Sequence, residues 1–431
     1  MNKNILQNVL AGLTVSFAAL SLGAAFGIMS TRGAFAGMLS AAIIPIITSI
    51  FGGTRIQASG PTAPMTAVSA LLIAKAYEAF PDKTMAEQFI TLTLILHGVL
   101  LIVAGIARLG SLIRFVPNAV VLGFMNGIAF LIWKDQIVKI FGLLGKKMMS
   151  GNLMLNILFT VLTVASIFLL PFLYKKINIS EKIRPFLSPL LFSIIIMTLL
   201  ANITSANIQH VDLGTTIDSF QQFYTMLKNY FPSDMLFDTS LLLKAFPMAL
   251  QLTFLGYLDS LLTALVIDKM TKEKTKQNKE LIAQGISNTV AGLLQGIPGA
   301  QATIRSVLLV KENATMRLAG ILLGVFVLMS LLLFKNYLVL IPSAVFVGVL
   351  LKAGWDVSDR DYMFVYFSKK WYKDWNRNFQ FFLILLTTLI TLFFDLNIAV
   401  FTGTALFYLL KYTLKSKKLS DVEQVLEDNI D

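Results

Sequence analysis

Cysteine is absent from the 431 residues, which excludes disulfides, zinc–thiolate sites and cysteine nucleophiles. Charge is scarce as well: Asp, Glu, Lys and Arg make up 14% of the chain, against about 25% in an ordinary soluble domain. No cleavable leader is evident, because Met1-Asn2-Lys3 runs straight into an apolar stretch longer than a leader's hydrophobic core, and that stretch reads as a first span. Long alternating apolar/polar segments are also missing, which excludes a membrane β-barrel.

What is present instead is apolar. Hydrophobic residues form 56% of the chain and the mean hydropathy is +0.74. The excess comes in blocks of about 17–25 residues, the length that crosses a bilayer as helix, and a span in lipid must satisfy its own backbone. The blocks fall at 6–28, 34–52, 62–77, 88–107, 116–134, 154–173, 186–202, 245–268, 280–296, 303–311, 317–334, 337–351, 379–394 and 397–414. The fold class is therefore an all-α polytopic membrane protein of about 14 segments. The net charge of +12 is read as cytoplasmic Lys and Arg, not as a nucleic-acid surface. With the N-terminus inside, the loops Arg108–Arg114, Lys175–Arg184, Asp268–Glu280, Lys311–Arg317 and Asp356–Arg377 and the tail Lys411, Lys415, Lys417 and Lys418 lie on the cytoplasmic side. The outer loop 203–243 holds Asp212, Asp218, Asp234 and Asp238, while Lys139, Lys146 and Lys147 dissent. Both termini are expected to be cytoplasmic, in the inner or plasma membrane.

An internal repeat organises the spans. Phe115-Val116-Pro117-Asn118-Ala119-Val120-Val121-Leu122-Gly123 echoes Leu340-Ile341-Pro342-Ser343-Ala344-Val345-Phe346-Val347-Gly348. Each copy lies two spans after a short segment that follows a breaker-rich stretch, Ser59-Gly60-Pro61-Thr62-Ala63-Pro64 or Ile297-Pro298-Gly299-Ala300-Gln301-Ala302. Two halves, 1–203 and 204–415, each of seven spans, enter from opposite sides as inverted repeats, followed by a short tail at 416–431. Paired interrupted segments of that kind mark a transporter's binding site.

Two short helices starting in mid-membrane present unpaired N–H groups and about half a positive charge each, so they suit an anion. Thr62, Ala63, Ala302 and Thr303 sit at those starts. Asp259 is the one charged residue in Leu250–Ile267, and Thr263 lies four residues on, on the same helix face. An ionisable group inside a span is functional by default. Carboxylate, hydroxyl and unwound carbonyls are hard ligands for a small cation such as Na⁺, or the Asp carries a proton. Arg305, just past Thr303, either adds positive potential at the anion or reaches to the cytoplasm. His97 is read as a packed residue, Asp395 as a turn residue, and Lys134 with Asp135 as an interfacial pair ending the fifth span.

At these residues the chain resembles the sulfate permease (SulP) family of anion transporters, along almost all of 8–415. Gly53-Thr54-Arg55-Ile56-Gln57-Ala58-Ser59-Gly60-Pro61-Thr62-Ala63-Pro64 is similar to the signature leading into the family's third helix. Arg114-Phe115-Val116-Pro117 with Val121-Leu122-Gly123-Phe124 is similar to its fifth. Asn278-Lys279-Glu280-Leu281-Ile282-Ala283-Gln284-Gly285, Asn288 and Gly296-Ile297-Pro298-Gly299-Ala300 are similar to its ninth and tenth. The resemblance implies two inverted seven-helix repeats, core and gate domains of an elevator, a substrate between the third and tenth helices, and in many members a homodimer. Phe26 matches the first helix at the substrate, although Ser21 stands where proline is usual. Leu258-Asp259-Ser260-Leu261-Leu262-Thr263 is similar to sodium-coupled bicarbonate transporters. There the matching Asp and Thr hold Na⁺ with the start of the tenth helix, here Gln301, Ala302 and Thr303. Gln301 replaces a usual glycine, and the STAS domain that usually follows is missing from these residues.

The expectation is a secondary active transporter, not an enzyme, coupling a small anion to Na⁺, with bicarbonate favoured over sulfate and with a proton as the other coupling ion. Its partners are the anion and the bilayer, with no nucleic acid. Rival readings are a nucleobase permease of the same overall fold, in which Asp259 and Gln301 would read a base edge, and a channel.

Overall fold

The computed structural model describes residues 3–143, 148–177, 189–210, 220–338, 340–394 and 396–413. Asp212, Asp218, Lys146, Lys147, Asp395, the tail from 414 onward and the side chain of Ser21 lie outside the described residues. The chain is helical: α1 (Lys3–Met29), α2 (Ala34–Phe51), α3 (Ala63–Ala79), α4 (Lys83–Ile106), α5 (Asn118–Phe141), α6 (Leu153–Lys176), α7 (Pro189–Ile203), α8 (Phe220–Tyr230), α9 (Thr239–Thr271), α10 (Gln277–Leu293), α11 (Thr303–Lys311), α12 (Leu318–Leu338), α13 (Ser343–Val357), α14 (Asp361–Ser368), α15 (Trp375–Phe393) and α16 (Leu396–Thr413). The two strands are β1 (Ser59–Gly60) and β2 (Ala300–Gln301), paired antiparallel with Ser59 opposite Gln301 and Gly60 opposite Ala300.

Each predicted span falls on a helix, and among the described residues seven helices are long and apolar enough to cross a membrane. Two short helices were not foreseen. α8 lies in the loop 203–243, and α14 precedes α15. Boundaries moved where a cap or a continuing apolar face decided them. α9 begins at Thr239, before the predicted 245, because the Asp238 carboxylate accepts from the Ser240 and Leu241 amides and closes the first turn. The Ser240 hydroxyl, with those two amides, holds that carboxyl below the usual carboxylate range. α5 runs on to Phe141, so Lys134 and Asp135 sit within it and do not end it. Leu169, Phe172, Leu332, Leu333, Phe393 and Phe401 stand exposed, which suits helices that face lipid.

The chain divides into two compact units. The first, Met1–Ser111 with Met149–Val349, contains every residue of the candidate site. Within it α1, α2, α11 and α12 share a core of small and branched side chains, among them Ala11, Val15, Ala19, Ala41, Leu309, Ala319 and Leu323. α4 packs on α10 through Gly98 and Gly285; a methyl group on Gly98 would lie 2.6 Å from the Gly285 carbonyl oxygen. Small residues of this kind let membrane helices approach. The second unit, Leu112–Met148 with Leu350–Asp431, is held by aromatic packing of Tyr362, Tyr366, Trp371, Phe379 and Phe407 around Leu383 and Ile384.

Candidate functional site

The site is assembled where two extended connections cross. Residues 52–62 lead from α2 into α3, and residues 294–302 lead from α10 into α11. They meet as β1 and β2, and Ala302 N extends the pairing with a 3.2 Å bond to Ala58 O. Glycine is required on this crossing. Gly60 has φ +144°, and a Cβ there would stand 2.9 Å from Arg305 Nη1, so both its backbone and its space exclude a side chain.

One face of α10 holds both connections. Glu280 accepts from Gly53 N at 2.8 Å, Thr54 N at 2.9 Å and Gln57 Nε2 at 3.2 Å. Gln284 donates to Ser59 Oγ at 2.8 Å. Asn288 closes a reciprocal pair with Gly299, donating to its carbonyl at 2.9 Å and accepting from its amide at 2.7 Å. Glu280, Gln284 and Asn288 belong to the motif similar to the family's ninth helix, and the sequence assigns them no place at the site. Their spacing of four, polar on one helix face inside an apolar span, was the signal that could have found them.

The other end of the second connection is held by charge. Arg32 donates to Gln295 Oε1 at 2.6 Å and to Gly296 O at 2.7 Å, and it pairs with Glu87, which also accepts from the Tyr77 hydroxyl. Both members of the ion pair are nearly buried, with side chains 7% and 11% exposed. Breaking a buried pair costs about 3–5 kcal/mol because the remaining charge has no partner. Arg32→Gln is therefore expected to lower the thermal unfolding temperature markedly. The double variant with Glu87→Gln is expected to recover part of the loss, a non-additivity that a double-mutant cycle measures. Additive losses would refute the coupling.

Some helix starts are closed by a side chain, and others, α10 and the two short site helices among them, are not. α4, α6, α9 and α15 are each closed by an Asp or Asn cap, Asp82, Asn152, Asp238 and Asp374. Thr62 and Ala302, the N-caps of α3 and α11, make no side-chain cap bond. Their first-turn N–H groups therefore keep their positive potential for a ligand.

Around these starts several buried polar atoms lack a partner. Asp259 Oδ2, Thr62 Oγ1, Gln301 Nε2, and Arg305 Nε and Nη1 make no hydrogen bond. The Thr62 hydroxyl lies beside the Asp259 carboxylate, which also feels the Arg305 guanidinium. Buried polar groups are normally satisfied, and a concentration of orphans marks where a ligand's charges would complete the set. Thr263 and Thr303 face each other with hydroxyls 2.6 Å apart. Ser260 Oγ accepts from Gln301 N at 3.2 Å, fixing β2 to the Asp259 turn of α9. Carboxylate and hydroxyl oxygens beside Thr303 fit a small hard cation, and the helix starts with Arg305 fit an anion.

The predicted residues are thus largely brought together. Asp259, Thr263, Gln301, Ala302 and Thr303 converge on one turn of α9, and Thr62 with Ala63 opens α3 beside them. Phe26 is buried in α1, with no polar contact to the group. Arg305 does not reach the cytoplasmic edge. It is 1% exposed, and its Nη2 donates to Pro61 O at 2.8 Å. The short α11 turns it inward, against the Cβ-free Gly60. His97 is fully buried, with Nδ1 3.1 Å from Thr253 Oγ1 and Nε2 without a partner.

Two broken helices, crossed strands and an intramembrane carboxylate in a helical membrane protein are the build of a protein that moves small ions across the bilayer. The chain belongs to the sulfate permease family, whose model matches residues 5–372, and it is an anion transporter of that family. It is 29% identical over 424 residues to the putative sulfate transporter YvdB of Bacillus subtilis, covering 97% of this chain and 75% of that one. It is also 29% identical over 444 residues to the bicarbonate transporter BicA of Picosynechococcus, covering 99% and 74%. The solved transmembrane domain of a cyanobacterial BicA superposes with a TM-score of 0.76 at 26% identity, covering 93% of this chain and 98% of that one. Murine solute carrier 26 family member A9 matches with a TM-score of 0.70 at 16% identity, over 96% of this chain and 69% of that one, a likeness of fold alone.

Proposed function

We propose that the chain is a Na⁺-coupled bicarbonate symporter. The observation that carries this reading is the pairing of orphaned opposite charges, Asp259 Oδ2 and the Arg305 guanidinium, at two uncapped helix starts. A carboxylate and a guanidinium in one buried site sum to no net charge. A cation with an anion keeps that sum at zero, whereas either ion alone leaves one charge uncompensated in low dielectric. Each ion then raises the other's affinity by the same factor, which is the thermodynamic basis of symport. The likeness to BicA supports bicarbonate and the Asp259–Thr263 oxygens support Na⁺.

In the same reading, Thr62, Ala63, Ala302, Thr303 and Arg305, bordered by Phe26, hold the anion. Asp259, Thr263 and the Gln301–Thr303 segment hold Na⁺. The halves 1–203 and 204–415 act as inverted repeats that form core and gate, supported by the matched approach of β1 and β2 to α3 and α11. Both termini are cytoplasmic, supported by the basic loops, and two copies form a homodimer, as the family resemblance implies.

The experiment is uptake of labelled bicarbonate and labelled sulfate into proteoliposomes, with and without an inward Na⁺ gradient. Bicarbonate uptake that saturates and follows the Na⁺ gradient is the expected result. Sulfate uptake indifferent to Na⁺, the reading that the likeness to YvdB favours, would refute it. Flux that never saturates would make the protein a channel.

A further inference from the structure

We infer that Gln301 turns its side-chain oxygen, not its nitrogen, towards the buried site, and that Thr54 and Thr275 are positioning residues that hold it so. The inference rests on the Na⁺-coupled reading above and assigns the free oxygen to the cation.

Gln301 is fully buried. As placed, its Oε1 accepts from Thr54 Oγ1 at 3.3 Å, and its Nε2 has no partner. The two ends of an amide are nearly the same shape, so a half-turn exchanges them and the surrounding network decides which way the group faces. That network is a chain of three links. Gln301 meets Thr54, Thr54 Oγ1 lies 3.0 Å from Thr275 Oγ1, and Thr275 Oγ1 donates to Asp268 Oδ1 at 2.7 Å. Asp268 also accepts from Thr275 N, at 3.0 Å and 2.9 Å to its two oxygens, so it serves as an acceptor throughout.

Counting protons settles the orientation. Asp268 as a carboxylate gives none, and each threonine hydroxyl gives one. Thr275 gives its proton to Asp268. With the Gln301 oxygen towards Thr54, the single Thr54 proton must serve two links, and one pair of oxygens faces each other with nothing between. The Glu280 carboxylate, which also interacts with the Thr54 hydroxyl, adds to the competition for that proton. With the nitrogen towards Thr54 each link of the chain has its own proton, Gln301 Nε2 to Thr54, Thr54 to Thr275 and Thr275 to Asp268, and only the Glu280 contact goes without. A buried link left unmade is costly, so the second arrangement wins.

The consequence is chemical. The end of Gln301 without a partner is then a carbonyl-type oxygen, an acceptor that a cation satisfies and an anion repels. Its backbone is already tied to Ser260, next to Asp259, and Thr303 beyond it meets Thr263. Gln301 therefore adds a neutral hard ligand to the Asp259 half of the site, and the hydroxyl chain from Asp268 orients it as outer partners orient metal ligands.

The test is thermal unfolding of the purified full chain across a NaCl titration at constant ionic strength, with choline as the replacing cation. Anion KM is measured in parallel at saturating Na⁺. Gln301→Leu and Thr54→Val are each expected to raise the Na⁺ midpoint about tenfold, and in Thr54→Val the anion KM is expected to stay within about twofold. Gln301→Glu keeps an oxygen at the free end and is expected to stay within about threefold of the unsubstituted midpoint, which decides the matter if Gln301→Leu does not fold. An unchanged Na⁺ midpoint with a raised anion KM would overturn the inference, because the nitrogen would then face the anion. An unsubstituted protein that Na⁺ does not stabilise at all would overturn the coupled reading and this inference with it.

Discussion

Asp259→Asn is expected to abolish the Na⁺ dependence of uptake while leaving a folded protein. The Asp259 carboxyl stands inside α9 with Oδ2 buried and unpartnered, a place where an ionised group costs free energy. Asparagine has the same shape and no charge. Folding therefore does not suffer, and the variant is expected to melt no lower than the parent. Binding does suffer. A Na⁺ ion held by two hydroxyls and neutral carbonyls has lost its counter-charge, and its midpoint is expected to rise about 100-fold, a loss of about 2.7 kcal/mol. Anion uptake that remains is expected to be indifferent to the Na⁺ gradient, because Arg305 no longer has Asp259 as a competing partner. The check is proteoliposome uptake with Na⁺ or choline inside and outside. Uptake that still follows the Na⁺ gradient in Asp259→Asn would end the assignment. Uptake that follows a pH gradient in the parent and loses it in the variant would make the coupled ion a proton at the same residue.

Much of this site was legible in the sequence because its signals are local. A charge in an apolar run is visible wherever it falls, which exposed Asp259, and its partner Thr263 follows from helical spacing. The breakers Gly60-Pro61 and Pro298-Gly299 announce interrupted helices, and α3 and α11 start where those breakers end. What was not legible lies in contacts between distant segments. Glu280 reaches back to Gly53 and Thr54, more than two hundred residues away, and Arg32 reaches Gln295 across a similar distance. Nothing in either local sequence names the partner. Arg305 shows the same limit. From the sequence a long basic side chain near a membrane end reaches outward as readily as inward, and only the packing of Gly60 beneath it decides. Helix ends were misplaced for a smaller reason, since Asp238 closes α9 earlier than hydropathy alone suggests.

The two connections are held by groups of opposite sign, and the choice follows from what each connection offers. Residues 53 and 54 present amide protons, so an acid, Glu280, collects them. Gln295 and Gly296 present carbonyl oxygens, so a base, Arg32, collects them. Glu280 is thereby held by two backbone amides and the Gln57 side chain, and Arg32 by one backbone carbonyl, the Gln295 side-chain oxygen and the Glu87 carboxylate, so each buried charge has its partners within the protein. Asp259 and Arg305 differ, because most of their bonding capacity remains open. Within one helical framework, satisfied charges hold the scaffold, and in the proposed reading the unsatisfied ones are left to the ligands.

Arg305→Gln provides the sharper test of that division, since it moves the two ions in opposite directions. Arg305 makes one hydrogen bond, to Pro61 O, and keeps Nε and Nη1 unpartnered at 1% exposure. Its electrostatic partner is Asp259. Glutamine removes the positive charge without adding bulk against Gly60. The anion then depends on helix starts alone, and its KM is expected to rise about 10- to 100-fold, about 1.4 to 2.7 kcal/mol. Na⁺ is expected to bind more tightly, because the carboxylate that holds it no longer shares its field with a guanidinium. A variant that was merely misfolded would weaken both ions, and one whose arginine served only Pro61 would move neither. Arg305→Lys keeps the charge but not the fork, so it is expected to restore part of the anion affinity and bring the Na⁺ midpoint back towards the parent. Opposite shifts in the glutamine variant, partly reversed by lysine, identify Arg305 as the anion's counter-charge; parallel losses in both ions would place it in the scaffold with Arg32.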